Sequence, residues 1–300
     1  GGGSHQLRTI VLNIRLPQAL AALAAGAGLS VAGAAMQSIL RNPLGSPFTL
    51  GISNAAAFGA AFSVMVLGTG SMQSTGADAI SVTSPYLTTI SAFTACLLAA
   101  GVILVIARIR RSSPEVIILT GVALGSLFTA GTMFLQYFAD DVQLAAIVFW
   151  TFGDLGRASW RELLIISSMT VLASSYFMMN RWSYNAIDAG DETAGSLGVP
   201  VERKRLAGML VASLVTATVI SFVGVIGFVG LVGPHMVRRI LGDDHRFLIP
   251  GSMLAGGLLL LAADTVARTM LAPRVLPVAV LTAFVGAPVF VLLLVRGYRR

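Results

Sequence analysis

The sequence is poor in charge, acids, lysine and cysteine, and each shortage removes a class of protein. Charged residues make up 11% of its 300 positions, where a soluble globular chain carries about 25%. With 56% hydrophobic residues, a water-soluble fold of this size would leave apolar surface facing water, so the chain calls for lipid around it. The one cysteine, Cys96, stands in an apolar run, which excludes an internal disulfide framework and reads as a packing thiol. The one lysine, Lys204, lies in Glu202-Arg203-Lys204-Arg205 with no glycine run before it, so no P-loop is present to cradle nucleotide phosphates. His5, His235 and His245 have no partner at metal-ligand spacing. For His235 and His245 a structural or interfacial role is expected, and no metal site. No nucleophile and base form a recognisable enzyme constellation. A net charge of +7 could suggest nucleic acid, but the arginines punctuate apolar runs singly or in short groups, a membrane-anchoring pattern that excludes a phosphate-binding face.

What is present is a series of long apolar runs. A crossing needs about 20 apolar residues, since roughly 30 Å of hydrocarbon is spanned at 1.5 Å per residue. Such runs fall at 16–40, 49–68, 87–108, 116–138, 162–180, 247–270 and 276–296. A further run, 206–241, is too long for one crossing and is broken by Gly224, Gly227, Gly230, Gly233 and Pro234, so it reads as two, one of them short, joined near Gly227. The distribution of basic residues supports that split. With it, Arg41, Arg108, Arg110, Arg111, Arg181, Arg203, Lys204, Arg205, Arg238, Arg239, Arg246, Arg296, Arg299 and Arg300 share one side, which is 14 of 20. Arg8, Arg15, Arg157, Arg161, Arg268 and Arg274 take the other; a single crossing would divide the basic residues evenly. The expectation is one all-α domain over 1–300, a polytopic helix bundle of nine crossings with its N-terminus outside and its C-terminus in the cytoplasm. Gly1 to His5 reads as a cloning scar or a native loop, and no signal peptide is visible.

The runs are rich in small residues. Ala24, Gly28 and Ala32 recur every four positions, and glycines recur every three from 224 to 233. Small residues let helix backbones approach in lipid, so a compact bundle follows. Nearly all of the 13 acids lie in loops or at helix ends; Asp264 is the one inside a crossing. It stands four residues before Arg268, the spacing that brings two side chains together on one helical face, so an internal ion pair is expected, with a proton relay as the competing reading. The longest cytoplasmic loop, 181–205, carries Asp188, Asp191 and Glu192 ahead of Gly198 and Pro200. Asp188 could cap a short helix with both acids in its first turn, stopped by the glycine and the proline. Such a helix could serve as a lever for a soluble partner; an ordinary ordered loop is the other reading.

Several of these segments together form a signature. Arg15-Leu16-Pro17, Gln37, Asn42-Pro43-Leu44 and Leu50-Gly51-Ile52-Ser53 resemble the opening of the permease family of ATP-binding-cassette (ABC) importers for iron-siderophores, haem and cobalamin. So do Gly121-Val122-Ala123, Asp191-Glu192-Thr193-Ala194 with Leu197-Gly198, and Gly227-Phe228-Val229-Gly230-Leu231 running into Gly233-Pro234-His235. Asp264 to Arg268 with Leu276-Pro277, then Gly286-Ala287-Pro288, complete the order along almost the whole chain. The resemblance implies a multi-pass permease of a bacterial or archaeal inner membrane, working as a homodimer with a pore on its two-fold axis. Two cytoplasmic ATPases would hold ATP and Mg, leaving this chain without a cofactor and without enzymatic activity, and a soluble binding protein would dock outside. It further implies a coupling loop at 185–205 whose Asp191, Glu192, Ala194, Leu197 and Gly198 meet the ATPase. Arg15 and Arg268 would face carboxylates of the binding protein, and Phe149, Trp150, Asn42 and Pro43 would line or gate the pore, with 116–138 continuing into 148–152. The second arginine usual in the family is Gln18 here, and the chain begins where the family's first helix ends, which accounts for nine crossings instead of ten. A ferric siderophore is the expected cargo, with haem or cobalamin as alternatives. A proton-coupled carrier using Asp264 is the reading from another class.

Overall fold

The computed structural model describes residues 8–72, 80–82, 85–110, 113–271 and 275–297. The readings that involve His5, Arg111, Arg274, Arg299 and Arg300 fall outside them. The helix α1 (Leu16–Ile39) organises the rest. Pro17 sits in its first turn, where a missing N–H costs nothing, and a π-helical turn, Val11–Arg15, leads into it. Apolar or small on every side, α1 is buried nearly all round. It is followed by α2 (Ile52–Val66), a ribbon of β1 (Gly70–Met72) and β2 (Ile80–Val82), α3 (Pro85–Ile109), α4 (Pro114–Tyr137), α5 (Asp141–Thr151) and α6 (Trp160–Met179). Two short helices, α7 (Arg181–Asp188) and α8 (Asp191–Ser196), precede α9 (Val201–Val223), α10 (Val229–Leu241), α11 (His245–Thr269) and α12 (Val278–Gly297).

Packing follows the small residues. Helices α6, α9, α10 and α11 surround α1, while α3 and α4 pack on α2. A Cβ on Gly33 would overlap the carbonyl of Gly230, and one on Gly26 would overlap that of Gly256. These crossings of α1 with α10 and α11 therefore bring backbone against backbone, the close approach that drives helix association in lipid. Gly28, in the four-residue pattern, gives way instead to Thr170 and Val215.

Among the described residues, six helices are long and apolar enough to cross a membrane, the first running continuously over Arg8–Ile39, and three shorter apolar helices accompany them. The run 206–241 does divide. Helix α9 ends at Val223, Gly224 takes φ +80, and α10 starts after Phe228 at φ +66. The break lies where the notched glycines place it, and its backbone is sheltered by protein: the Asp154 N–H donates to Val223 O at 2.7 Å. Irregular backbone at membrane depth is tolerated only under such cover. With 13 residues, α10 is about 20 Å long, short of a full crossing.

The all-α fold class holds, with one addition: Gly70, Ser71 and Met72 pair antiparallel with Val82, Ser81 and Ile80, a ribbon too brief for periodicity to reveal. Two expectations need correcting. The run 116–138 does not continue into the aromatic stretch, because Asp140 and Gln143 form a reciprocal capping box that starts α5 as a separate helix. Asp188 caps nothing. It is the last residue of α7, and α8 begins instead after Gly190, whose φ of +120 only glycine adopts freely.

Candidate functional site

One end of the bundle gathers the C-termini of α1, α6 and α10, the N-termini of α9 and α11, and the paired helices α7 and α8. Arg205, on the first turns of α9, is 2% exposed. Its Nη2 donates to Asp191 Oδ1 at 3.0 Å, its Nη1 to Asp191 Oδ2 at 3.2 Å, and its Nε to the Ile39 carbonyl at 2.8 Å. A single guanidinium thus joins α8, α9 and the end of α1, in the bidentate geometry that suits carboxylates. Arg41 approaches the same Asp191 at 3.9 Å. Ala194 is the buried residue of α8, whereas Glu192, Leu197 and Gly198 are exposed. Leu197 is 69% exposed, an apolar side chain presented at the tip of a segment fixed from behind. Gly198 turns the chain with φ +78 and Pro200 precedes α9, so both act as the stops that the sequence suggested.

The other short helix is held from three sides. Tyr184 is fully buried, and its ring lies 5.7 Å from those of Phe177 and His245. Burial pushes the Tyr184 phenol well above its ordinary value, so it stays neutral. Asn185 donates to Asp244 Oδ1 at 3.0 Å and accepts from the His245 backbone N–H at 2.9 Å. Asp244, the N-cap of α11, is held far below the usual carboxylate range by hydrogen bonds from Arg246 and Asn185. Beside α7, a cleft of about 550 Å³ is lined by Gln37, Arg41, Asn42, Pro43, Asp188, Arg238 and Asp243. Asn42 shapes its rim by accepting from the Leu44 N–H at 2.8 Å.

At the opposite end, Arg268 Nη2 lies 2.9 Å from Asp264 Oδ2, the ion pair expected from their spacing. Gln18 donates to the other oxygen, Oδ1, at 3.0 Å. Gln18 thus serves one oxygen of a buried carboxylate and ties α1 to α11. Arg268 is consequently 18% exposed at its side chain, while Arg15 is exposed. Trp150 is buried, Phe149 is 59% exposed, and both border a cavity of about 470 Å³ between α3, α5, α6 and α9. Arg157 donates to Phe149 O at 2.8 Å, capping the end of α5. The four residues read as pore or gate therefore divide between two clefts, Asn42 and Pro43 at one end of the bundle, Phe149 and Trp150 at the other. A third recess, about 410 Å³, runs between α2 and α4. There Asn54 donates to Thr129 Oγ1 at 2.7 Å, on a helix that leaves most of its surface uncovered.

The model of the FecCD transport family matches residues 1–296. The chain belongs to the FecCD transport family. A protein of Methanocaldococcus jannaschii described as an ABC transporter permease is 56% identical over 300 residues, covering 100% of this chain and 85% of the relative. A haemin transport permease of Yersinia pestis is 37% identical, over 96% of this chain and 83% of its own length. Permeases named for cobalamin and Fe(3+)-citrate import stand among the other relatives. The fold agrees: a transporter described as of metal-chelate ABC type, solved inward-facing, superposes with a TM-score of 0.86 at 30% identity, over 96% of this chain and 88% of that one. This FecCD chain is thus a multi-pass ABC-transporter permease. Sequence reading missed Arg205 as the anchor of α8, because its basic cluster resembles a solvated one and its partners Asp191 and Ile39 lie on other elements. His245, expected from the sequence to be structural or interfacial, is buried and donates its backbone N–H to Asn185, whereas no local pattern marked Arg238 as lining the cleft beside α7.

Proposed function

We propose that this chain is the membrane half of an ATP-driven importer for a metal chelate, acting as a homodimer in a bacterial or archaeal cell membrane. In this reading nine crossings place α7 and α8 in the cytoplasm, with α2 and the short α10 counted among them. ATP and Mg reside in two partner ATPases, each of which grips the segment carrying Asp191, Glu192, Ala194, Leu197 and Gly198 through its exposed Glu192, Leu197 and Gly198. The observation that carries the reading is the contrast around Leu197: an exposed apolar tip on a helix whose base is fastened through Asp191 and buried Arg205 to the central helix. A load applied there moves α1 and α9, which is what alternating access requires.

Outside, a soluble binding protein docks through Arg15 and Arg268 and delivers its cargo to the dimer axis. The uncovered face of α4, with Ser126, Thr129 and Asn54 along its recess, supports a pathway wall that offers weak polar contacts and no tight site. Phe149 and Trp150 serve the outer gate, Asn42 and Pro43 the inner mouth. A ferric siderophore is the favoured cargo, with haem or cobalamin as alternatives drawn from the relatives' names. The proton-carrier reading is disfavoured because Asp264 is committed to Arg268 and Gln18. Proteoliposomes holding the permease with its ATPase and binding protein test the proposal. Uptake of a ferric siderophore should require internal ATP and survive collapse of the proton gradient. Uptake that persists without ATP and stops with the gradient would overturn it.

A further inference from the structure

Helix α7 reaches further into the bundle than α8 does. Ser38 Oγ donates to Asp188 Oδ2 at 3.1 Å, and His245 Nε2 lies 3.0 Å from both oxygens. Ser38 and His245 are each 1% exposed. Both contacts use the same ring nitrogen, so this is not the relay of a hydrolytic triad, which engages the two nitrogens separately. It is a holding geometry. Arg238 closes the cluster: its Nη2 donates to Ser38 Oγ and its Nε to Gln37 Oε1, each at 3.3 Å, and its Nη1 donates to Asp243 Oδ1 at 2.7 Å. The same Nη1 stands 4.0 Å from Asp188 Oδ2. One carboxylate at the end of α7 therefore gathers the last turn of α1, the last turn of α10 and the first turn of α11.

Of these, α10 has the most consequence. It starts at the broken backbone 224–228, where Phe228 holds a left-handed conformation rare for a bulky residue and packs its Cβ against Gly286 of α12. This short helix, clamped at its C-terminus, connects the end of α7 to that break, about 20 Å away for 13 residues at 1.5 Å each. The Arg205–Asp191 anchor engages a different set of elements, α8, α9 and the end of α1.

We propose that Asp188, Ser38, His245 and Arg238 form a latch that positions the broken segment 224–228 through α10, giving the coupling region a second mechanical output besides α1 and α9. Its use in transport rests on the reading of α8 as the ATPase contact; the latch itself does not. Two measurements separate these claims. Hydrogen exchange on the permease alone should quicken at 224–231 in His245→Ala and Asp188→Ala while staying unchanged at 16–33. His245→Gln, whose amide nitrogen can stand in for Nε2, should restore protection. Unchanged exchange at 224–231, or faster exchange throughout the bundle that Gln does not rescue, would overturn the latch. In the reconstituted importer, His245→Ala should keep ATP hydrolysis near wild type while cargo moved per ATP falls roughly tenfold, the scale of a coupling element. Should wild-type vesicles import nothing with ATP, the importer reading fails and the exchange result still decides the latch.

Discussion

Arg205 shows how a guanidinium can be almost entirely covered yet well served, with Asp191 and the Ile39 carbonyl facing its nitrogens. Removing one partner of a buried charge costs more than the pair contributes, because the survivor remains desolvated. Asp191→Ala should therefore destabilise the permease by about 2 kcal/mol, read as a lower melting temperature in detergent; an unchanged melting curve would show that the anchor carries no weight. Asp244 gives a pH signature. Its folded value is depressed below the roughly 3.9 of an unfolded aspartate, so its contribution is complete above about pH 4 and is lost as pH falls further. The protection factor around Asn185–Arg246, corrected for the intrinsic pH dependence of amide exchange, should stay constant from pH 7 to pH 5 and fall only below about pH 4, and Asp244→Asn should remove that acid step. The Asp264–Arg268 pair was legible in the sequence because four residues along a helix bring side chains together. Gln18, 246 positions from Asp264, was not: its role is set by how α1 crosses α11.

At the scale of elements, the small residues decide which helices touch. A leucine at Gly33 would have to occupy the Gly230 carbonyl, so Gly33→Leu should cost about 3 kcal/mol or more, since backbone cannot yield as a side chain can. Poor recovery of folded permease would register it, while a normal melting temperature would contradict the α1–α10 crossing. The long helices were legible from apolar length, and the division of 206–241 from its glycines and the balance of arginines. The pair α7–α8 was only half legible. Its polar sequence announces a loop, and the helix of 181–188 depends on burying Tyr184 and Ile187 against neighbours that no local pattern displays. The same limit hid the β ribbon.

For the whole molecule, the two ends carry opposite duties in the proposed importer, and at the outer end the two candidate docking arginines differ in availability. Arg15 is free to meet a carboxylate, whereas Arg268 is occupied by Asp264. Arg15→Glu should weaken docking of the binding protein by roughly tenfold at low salt, because like charges brought together cost more than a lost exposed pair. The effect should shrink as ionic strength rises and the Debye length falls to about 8 Å near 0.15 M. Equal docking at low salt would remove Arg15 from the interface. Everything proposed about energy coupling depends on which compartment holds Leu197. Cys96 is buried, so a single Leu197→Cys substitution supplies a reporter on a quiet background. A membrane-impermeant maleimide should label it in inside-out vesicles stripped of ATPase, fail to label it in intact cells, and be blocked when the ATPase is restored. Labelling from outside intact cells would contradict the orientation and the proposed engine together.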